Sequence, residues 1–149
     1  MATYWDVLDA VRTVVQGLSA LDGVPVVIRK WPGFLALQGS VREVVIAPRK
    51  DLAEVMAELQ FSGNAWIDYE VFVILVTEAR YDEETLQWRL NRRLELRQAL
   101  YETDAVASEV PAQFDVDYDP SPSIDTSSLP ETLDWTAQKY TYRTSEARS

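Results

Sequence analysis

The chain has no histidine, no cysteine, only two methionines and five glycines in 149 residues, and none of its apolar runs reaches the roughly 18 to 20 residues of a membrane-spanning helix. Each shortage closes a class of function. Without cysteine there is no disulfide framework. Without histidine, general-base catalysis has to rest on a tuned carboxylate, lysine or tyrosine. Gly33 and Gly39 do not form the GxGxxG or GxxxxGK pattern that cradles a phosphate after a strand. Met1 to Asp6 carries neither a basic start nor a signal-like apolar stretch, so the expectation is a soluble protein made in a cytoplasm.

What is present is ordinary globular composition, 47% hydrophobic and 26% charged. A chain of this length buries about two-thirds of its unfolded surface, which supports a packed core without disulfides or metal, and a single domain over 1–149 is expected. Lys and Arg number 14 against 24 Asp and Glu, a formal charge of −10. That charge repels phosphate at long range and argues against a general nucleic-acid binder. An acidic wall is instead a surface along which DNA passes without sticking.

Tyr4, Val7, Leu8, Val11, Val14, Val15 and Leu18 share one side of a helix over Thr3 to Ser19, with Thr3 and Asp6 placed to cap it and Asp22-Gly23 supplying a turn beyond its end. Trp5 falls off this stripe. VPVVIRK (24–30) and VREVVIA (41–47) read as strands joined by the ten-residue WPGFLALQGS, and an antiparallel pairing is expected, with Pro25 favouring an edge. Leu52, Val55, Met56 and Leu59 predict a short helix over Asp51 to Gln60. Ile67 to Thr77 alternates at first and is continuously apolar from Val71 to Val76, as in a central strand covered on both faces. Asp82 caps a long helix reaching about Tyr101, with Leu86, Leu90, Leu94, Leu96, Leu100 and Tyr101 as its expected buried face.

Arg93 and Arg97 project within that leucine stripe, and Trp88 points to the opposite side. Two readings stand: the arginines run their stems along the core edge, or they form an ion pair across a subunit boundary. QFDVDY (113–118) and LDWTAQKYTYR (133–143) have strand composition. Between them DPSPSIDTSSLPE is a 13-residue loop, 119–131, too long for a routine hairpin. The final TSEARS reads as a frayed tail. The fold class is therefore α+β: a mixed, mostly antiparallel sheet with an N-terminal helix and a long helix packed on it.

Candidate chemistry fails on its geometry. Asp115, Asp117 and Asp119 open like a calcium loop, but Pro120 replaces the glycine of the sharp turn and Thr126 the bidentate glutamate, which leaves a solvated strand face. Asp68 and Glu70 are two carboxylates side by side on one strand face, without an acceptor pocket. Asp82, Glu83 and Glu84 answer the helix dipole. No catalytic centre, cofactor or metal is expected. Contact residues are easier to nominate: Trp31, Phe34 and Leu35 in the loop at 31–40, Trp88 with Arg89 and Arg92 on the long helix, and Ile124 and Leu129 in the loop at 119–131. The loop at 31–40 has the alternative of folding back to cap the core.

The order of elements, with VREVVIAPR at 41–49, YEVFVILV at 69–76, DEETLQWRLNRRLELRQAL at 82–100 and WTAQKYTYR at 135–143, resembles the tail terminator and head-tail joining proteins of tailed bacteriophages. The resemblance covers most of the chain and is a pattern of elements rather than a signature motif. It implies a homo-oligomeric ring, typically of six copies, that caps the tail tube and meets the head connector, with DNA passing through the lumen, in the virion after assembly in the host cytoplasm. A neck or head-completion protein is the alternative within that class. Outside it stand a monomeric adaptor and a small cytoplasmic hydrolase or ligand-binding domain with a pocket of Trp31, Tyr69 and Trp135.

Overall fold

Thr3 begins the first helix by accepting a hydrogen bond from the Asp6 backbone N–H at 3.1 Å while its own N–H donates to the Asp6 carboxylate at 2.9 Å. This reciprocal cap satisfies two of the donors that a helix start leaves bare. In the computed structural model, which describes residues 3–29, 42–49, 65–79, 82–110, 114–123 and 133–146, with backbone alone at 65–67 and 144–146, the helix so capped is α1, Tyr4–Gln16. It buries Tyr4, Val7, Leu8, Ala10, Val11 and Val15 and leaves Trp5 at the surface, as its apolar spacing requires. Gly23, at φ 79°, takes the left-handed conformation that turns the chain into the sheet.

Among the described residues five strands follow: β1 Val26–Ile28, β2 Arg42–Pro48, β3 Ala65–Glu78, β4 Asp115–Asp119 and β5 Leu133–Glu146, in spatial order β1-β2-β3-β5-β4. Between β3 and β4 lie the long helix α2, Glu83–Leu100, and the short α3, Ala105–Glu109. The fold is α+β with a mixed sheet, and the run from Ile67 to Thr77 is central in it. One pairing differs from expectation. β1 lies parallel to β2, with Val26 opposite Val44 and Ile28 opposite Ile46, whereas the other three pairings are antiparallel. The length of the connection permits this: residues 29–41 are about the dozen that a parallel crossover needs, where a hairpin uses about two to five. β5 also runs on to Glu146, opposite Ala65, so the residues read as a frayed tail begin as strand; 147–149 lie outside the described residues, as does the predicted helix at 51–60.

Both faces of β3 are buried, which explains its unbroken apolar sequence. Tyr69, Val71, Val73 and Leu75 join Val44, Ile46, Tyr140, Tyr142 and the inner sides of α1, α2 and α3 in the main core. Phe72, Ile74 and Val76 join Val45, Ala47 and Ala137 in a second cluster on the far face, edged by Val27, Leu133 and Trp135. Because Ile74 and Leu75 are fully buried on opposite faces, Ala at either position should cost about 2–5 kcal/mol in denaturant unfolding.

Tyr4 ties the first helix to the sheet. Its hydroxyl donates to the Glu70 carbonyl at 2.6 Å and accepts from the Arg49 backbone N–H at 2.9 Å. Burial pushes this phenol up to about 12, and burial pushes those of Tyr140 and Tyr142 higher still. A raised folded-state value means that the native protein holds a proton the unfolded chain gives up near pH 10, so the contribution is complete below pH 10 and is lost as pH rises towards 12. Urea titrations from pH 9 to 12 should therefore show stability falling with pH. The fall in Tyr4→Phe should be shallower than in the parent by about 2–3 kcal/mol.

Candidate functional site

The long helix carries most of the large apolar side chains that the described residues leave exposed. Asp82 starts it by accepting from the Thr85 backbone N–H at 2.7 Å, with Glu83 and Glu84 in the first turn, where the helix dipole favours acids. Its rotation about its own axis then differs from that expected from the leucine spacing. Leu96 and Leu100 are buried as expected, but Leu86, Leu90, Leu94 and Tyr101 are 51%, 57%, 46% and 45% exposed. The face turned to the protein is Thr85, Arg89, Arg92, Arg93, Leu96 and Leu100, with Trp88 at its margin.

Arginine fills this inward face because β5 presents polar groups there. The Arg93 guanidinium donates to the Thr136 hydroxyl at 2.6 Å, to the Ala137 carbonyl at 2.9 Å and, from its other terminal nitrogen, to the Pro120 carbonyl. A planar fork with five N–H donors serves several acceptors at once, which a single ammonium does less well. Gln138, 1% exposed, completes the joint. Its amide nitrogen donates to the Arg93 carbonyl at 3.0 Å and to the Tyr118 hydroxyl at 2.8 Å, while its oxygen accepts from the Tyr140 hydroxyl at 3.1 Å. Arg89 pairs with Asp134 at 2.6 Å and Arg92 with Glu95 at 2.7 Å.

Trp88, nominated as a contact residue, has partners within its own chain. It does not stand free in water: it packs on the main core, with the Arg42 guanidinium 4.6 Å above its ring and that of Arg92 at 5.9 Å. Such cation–π contacts stabilise a half-buried ring within its own chain. Arg89 and Arg92, nominated beside it, also find partners within the chain, and Arg93 holds its own β5. Trp31, Phe34, Leu35, Ile124 and Leu129 lie outside the described residues.

The surface that emerges is a row the sequence reading had placed indoors. Leu86, Leu90 and Leu94 stand one turn apart along α2. Tyr101 continues the apolar surface towards the β4 edge, its ring stacked on Tyr118 at 5.6 Å between centroids. Trp88 meets Arg42 of β2 on one flank of α2 and Tyr101 meets β4 on the other, so the row lies on the flank away from α1. A sequence signal for this rotation exists. Thr85, Arg89, Arg92, Leu96 and Leu100 also recur at three- and four-residue spacing, and only the assumption that leucine outranks arginine for the interior hides it.

The acids offer little chemistry. Asp68 takes a bidentate contact from Arg143, at 2.7 and 3.0 Å, and the hydrogen bond from that guanidinium holds its carboxyl below the usual range. Glu70 lies between Arg49 at 3.4 Å and Lys139 at 3.6 Å. Asp115 and Asp117 are exposed on the outer strand. Among the described residues no three His, Cys, Asp or Glu side chains converge as metal ligands do. Tyr69 and Trp135 fall on opposite faces of the sheet, so no one pocket takes both. No described helix is long and apolar enough to cross a membrane. Comparison with protein-family models finds no match, and comparison with curated proteins finds none either.

The rotation of α2 has a direct test in stability. Trp88→Ala should cost about 1–3 kcal/mol in denaturant unfolding, less than a fully buried ring but well above a surface change. Leu90→Ala should stay within about 0.5 kcal/mol. The reverse order would show that the leucines, not the tryptophan, face the core.

Proposed function

We propose that this chain is a non-enzymatic assembly protein: a subunit of the ring that terminates a bacteriophage tail tube and joins it to the head connector. The observation that carries the reading is the outward leucine row. Monomeric proteins rarely expose large apolar patches, and a row of three half-exposed leucines along the longest described helix suits contact with another protein. Two further features support it. The order of elements is the one that resembles tail terminator and neck proteins, and the formal charge of −10 suits a wall along which DNA moves without binding.

A ring closes by heterologous contacts, in which one patch meets a different patch on the next copy. Among the described residues the sheet ends in two unlike strands, a short apolar β1 and an acidic β4, which suits closure by unlike edges.

Tail tubes assembled without this chain should lack a terminal ring in electron micrographs and fail to join heads, and added purified protein should restore both. Protein that binds neither tubes nor heads overturns the reading. Changing Leu86, Leu90 and Leu94 together to Ser should leave the fold intact, each surface change costing within about 0.5 kcal/mol, while joining activity is lost. A head-completion role predicts binding to heads alone.

A further inference from the structure

We propose that the leucine row of α2 is the contact for a second copy of this chain, lying antiparallel to the first about a two-fold axis through Leu90. The inference rests on reading the row as an assembly surface and not on the ring itself. An isologous contact demands a patch that is its own complement, and this patch is. In an antiparallel pair centred on Leu90, each Leu86 falls opposite the partner's Leu94, and each Glu83 opposite the partner's Arg97. Leu90 sits in the middle of the row along the helix. It is also central around it, since each step of four residues advances the row by about 40°.

Glu83 and Arg97, seven residues to either side, both return to within about 20° of the Leu90 direction, so acid and base flank the apolar centre on the same face. Glu83 is exposed. The Arg97 side chain is 42% exposed, with its Nε buried 3.9 Å from Glu102. At the shallow crossing of about 20° common to antiparallel helix pairs, side chains of this length still meet at the ends of the row. A foreign partner would impose no such symmetry of leucines and charges about one residue. Three leucines per copy are a small contact beside a standard interface, so the pairing depends on concentration.

A two-fold pair is closed and has like ends, whereas a joint between tube and head has unlike ones. The pair is accordingly the form of the free subunit, keeping the row out of water until the contacts of the ring displace it.

The absence of native cysteine makes the test unambiguous. Under mild copper-phenanthroline oxidation of the otherwise unchanged protein, Leu90→Cys should form a disulfide-linked dimer. An equimolar mixture of Leu86→Cys and Leu94→Cys should link at least about tenfold faster than either alone, because only the mixed pair places thiols opposite each other. Trp5→Cys, exposed on α1, supplies the collisional rate. In sedimentation of the disulfide-free protein at low salt, Glu83→Arg and Arg97→Glu should each weaken dimerisation about five- to tenfold, as expected of two exposed ion pairs, and the double variant should recover it. Linking of Leu90→Cys no faster than Trp5→Cys, or a double charge variant no tighter than the single ones, overturns the pairing. Tube-to-head joining by protein that does not cross-link would sink the pair and leave the ring; cross-linking by protein that binds neither tubes nor heads would do the opposite.

Discussion

The joint between Arg93 and Gln138 sets how α2 lies on the sheet, and with it the face that α2 shows to solvent. β4 pairs with β5 only from Lys139 to Arg143, so among the described residues β5 has no strand on its outer side from Leu133 to Gln138. Polar groups buried there without partners are costly. Arg93 takes the Ala137 carbonyl and the Thr136 hydroxyl, and Gln138 returns a hydrogen bond to the backbone of the same arginine. Once this exchange is made, the inward face of α2 is fixed, and Leu86, Leu90 and Leu94 have nowhere to go but out.

The same joint continues into a layer of tyrosines. Tyr140 and Tyr118 meet at 5.2 Å between ring centroids, and Tyr118 stacks on Tyr101. Tyr142 donates to the Leu100 carbonyl at 3.3 Å near the end of α2. At the other side of the core Tyr69 meets Tyr4 edge-on at 5.4 Å. Each ring fills volume that an aliphatic residue could fill, but the Tyr4 and Tyr142 hydroxyls also satisfy backbone carbonyls where a helix meets a strand, and those of Tyr118 and Tyr140 engage Gln138. Helices and sheet are thus held at particular backbone atoms rather than by apolar contact alone. Such a core is specific in geometry, and the raised phenol values are its electrostatic signature.

How much of this was legible in the sequence depends on whether the deciding interaction is local. The cap of α1 by Thr3 and Asp6, the Asp82 start of α2 and the two-sided burial of Val71 to Val76 are written in neighbouring residues, and each was readable. The parallel run of β1 and β2 and the rotation of α2 are set by partners far along the chain. Arg93 reaches Thr136 and Ala137, more than forty positions away, and nothing near Arg93 announces them. Hydrophobic periodicity finds a helix reliably, but it assigns the inner face by counting apolar residues. It fails where arginine has a polar wall to serve, and for that reason Leu86, Leu90 and Leu94, expected in the core, lie at the surface. Trp31, Phe34, Leu35, Ile124 and Leu129 lie outside the described residues and take no part in that comparison.

The use of charge follows from the same arrangement. Arg89, Arg92 and Arg93 are engaged by Asp134, Glu95 and the β5 edge, and Arg29 is set against Glu43 at 2.6 Å. Much of the chain's modest stock of positive charge is therefore committed internally, while Asp115, Asp117, Glu83 and Glu84 face water. Copies with a net charge of −10 repel one another at long range, and an apolar contact between them has to overcome that repulsion. The leucine row can do so at short range only where acid meets base at its ends, since Debye screening limits both the repulsion and the attraction to about 8–10 Å at ordinary salt. In the proposed pair Glu83 and Arg97 would meet that requirement, so the polarity of the row's two ends matters to the proposal as much as the leucines between them.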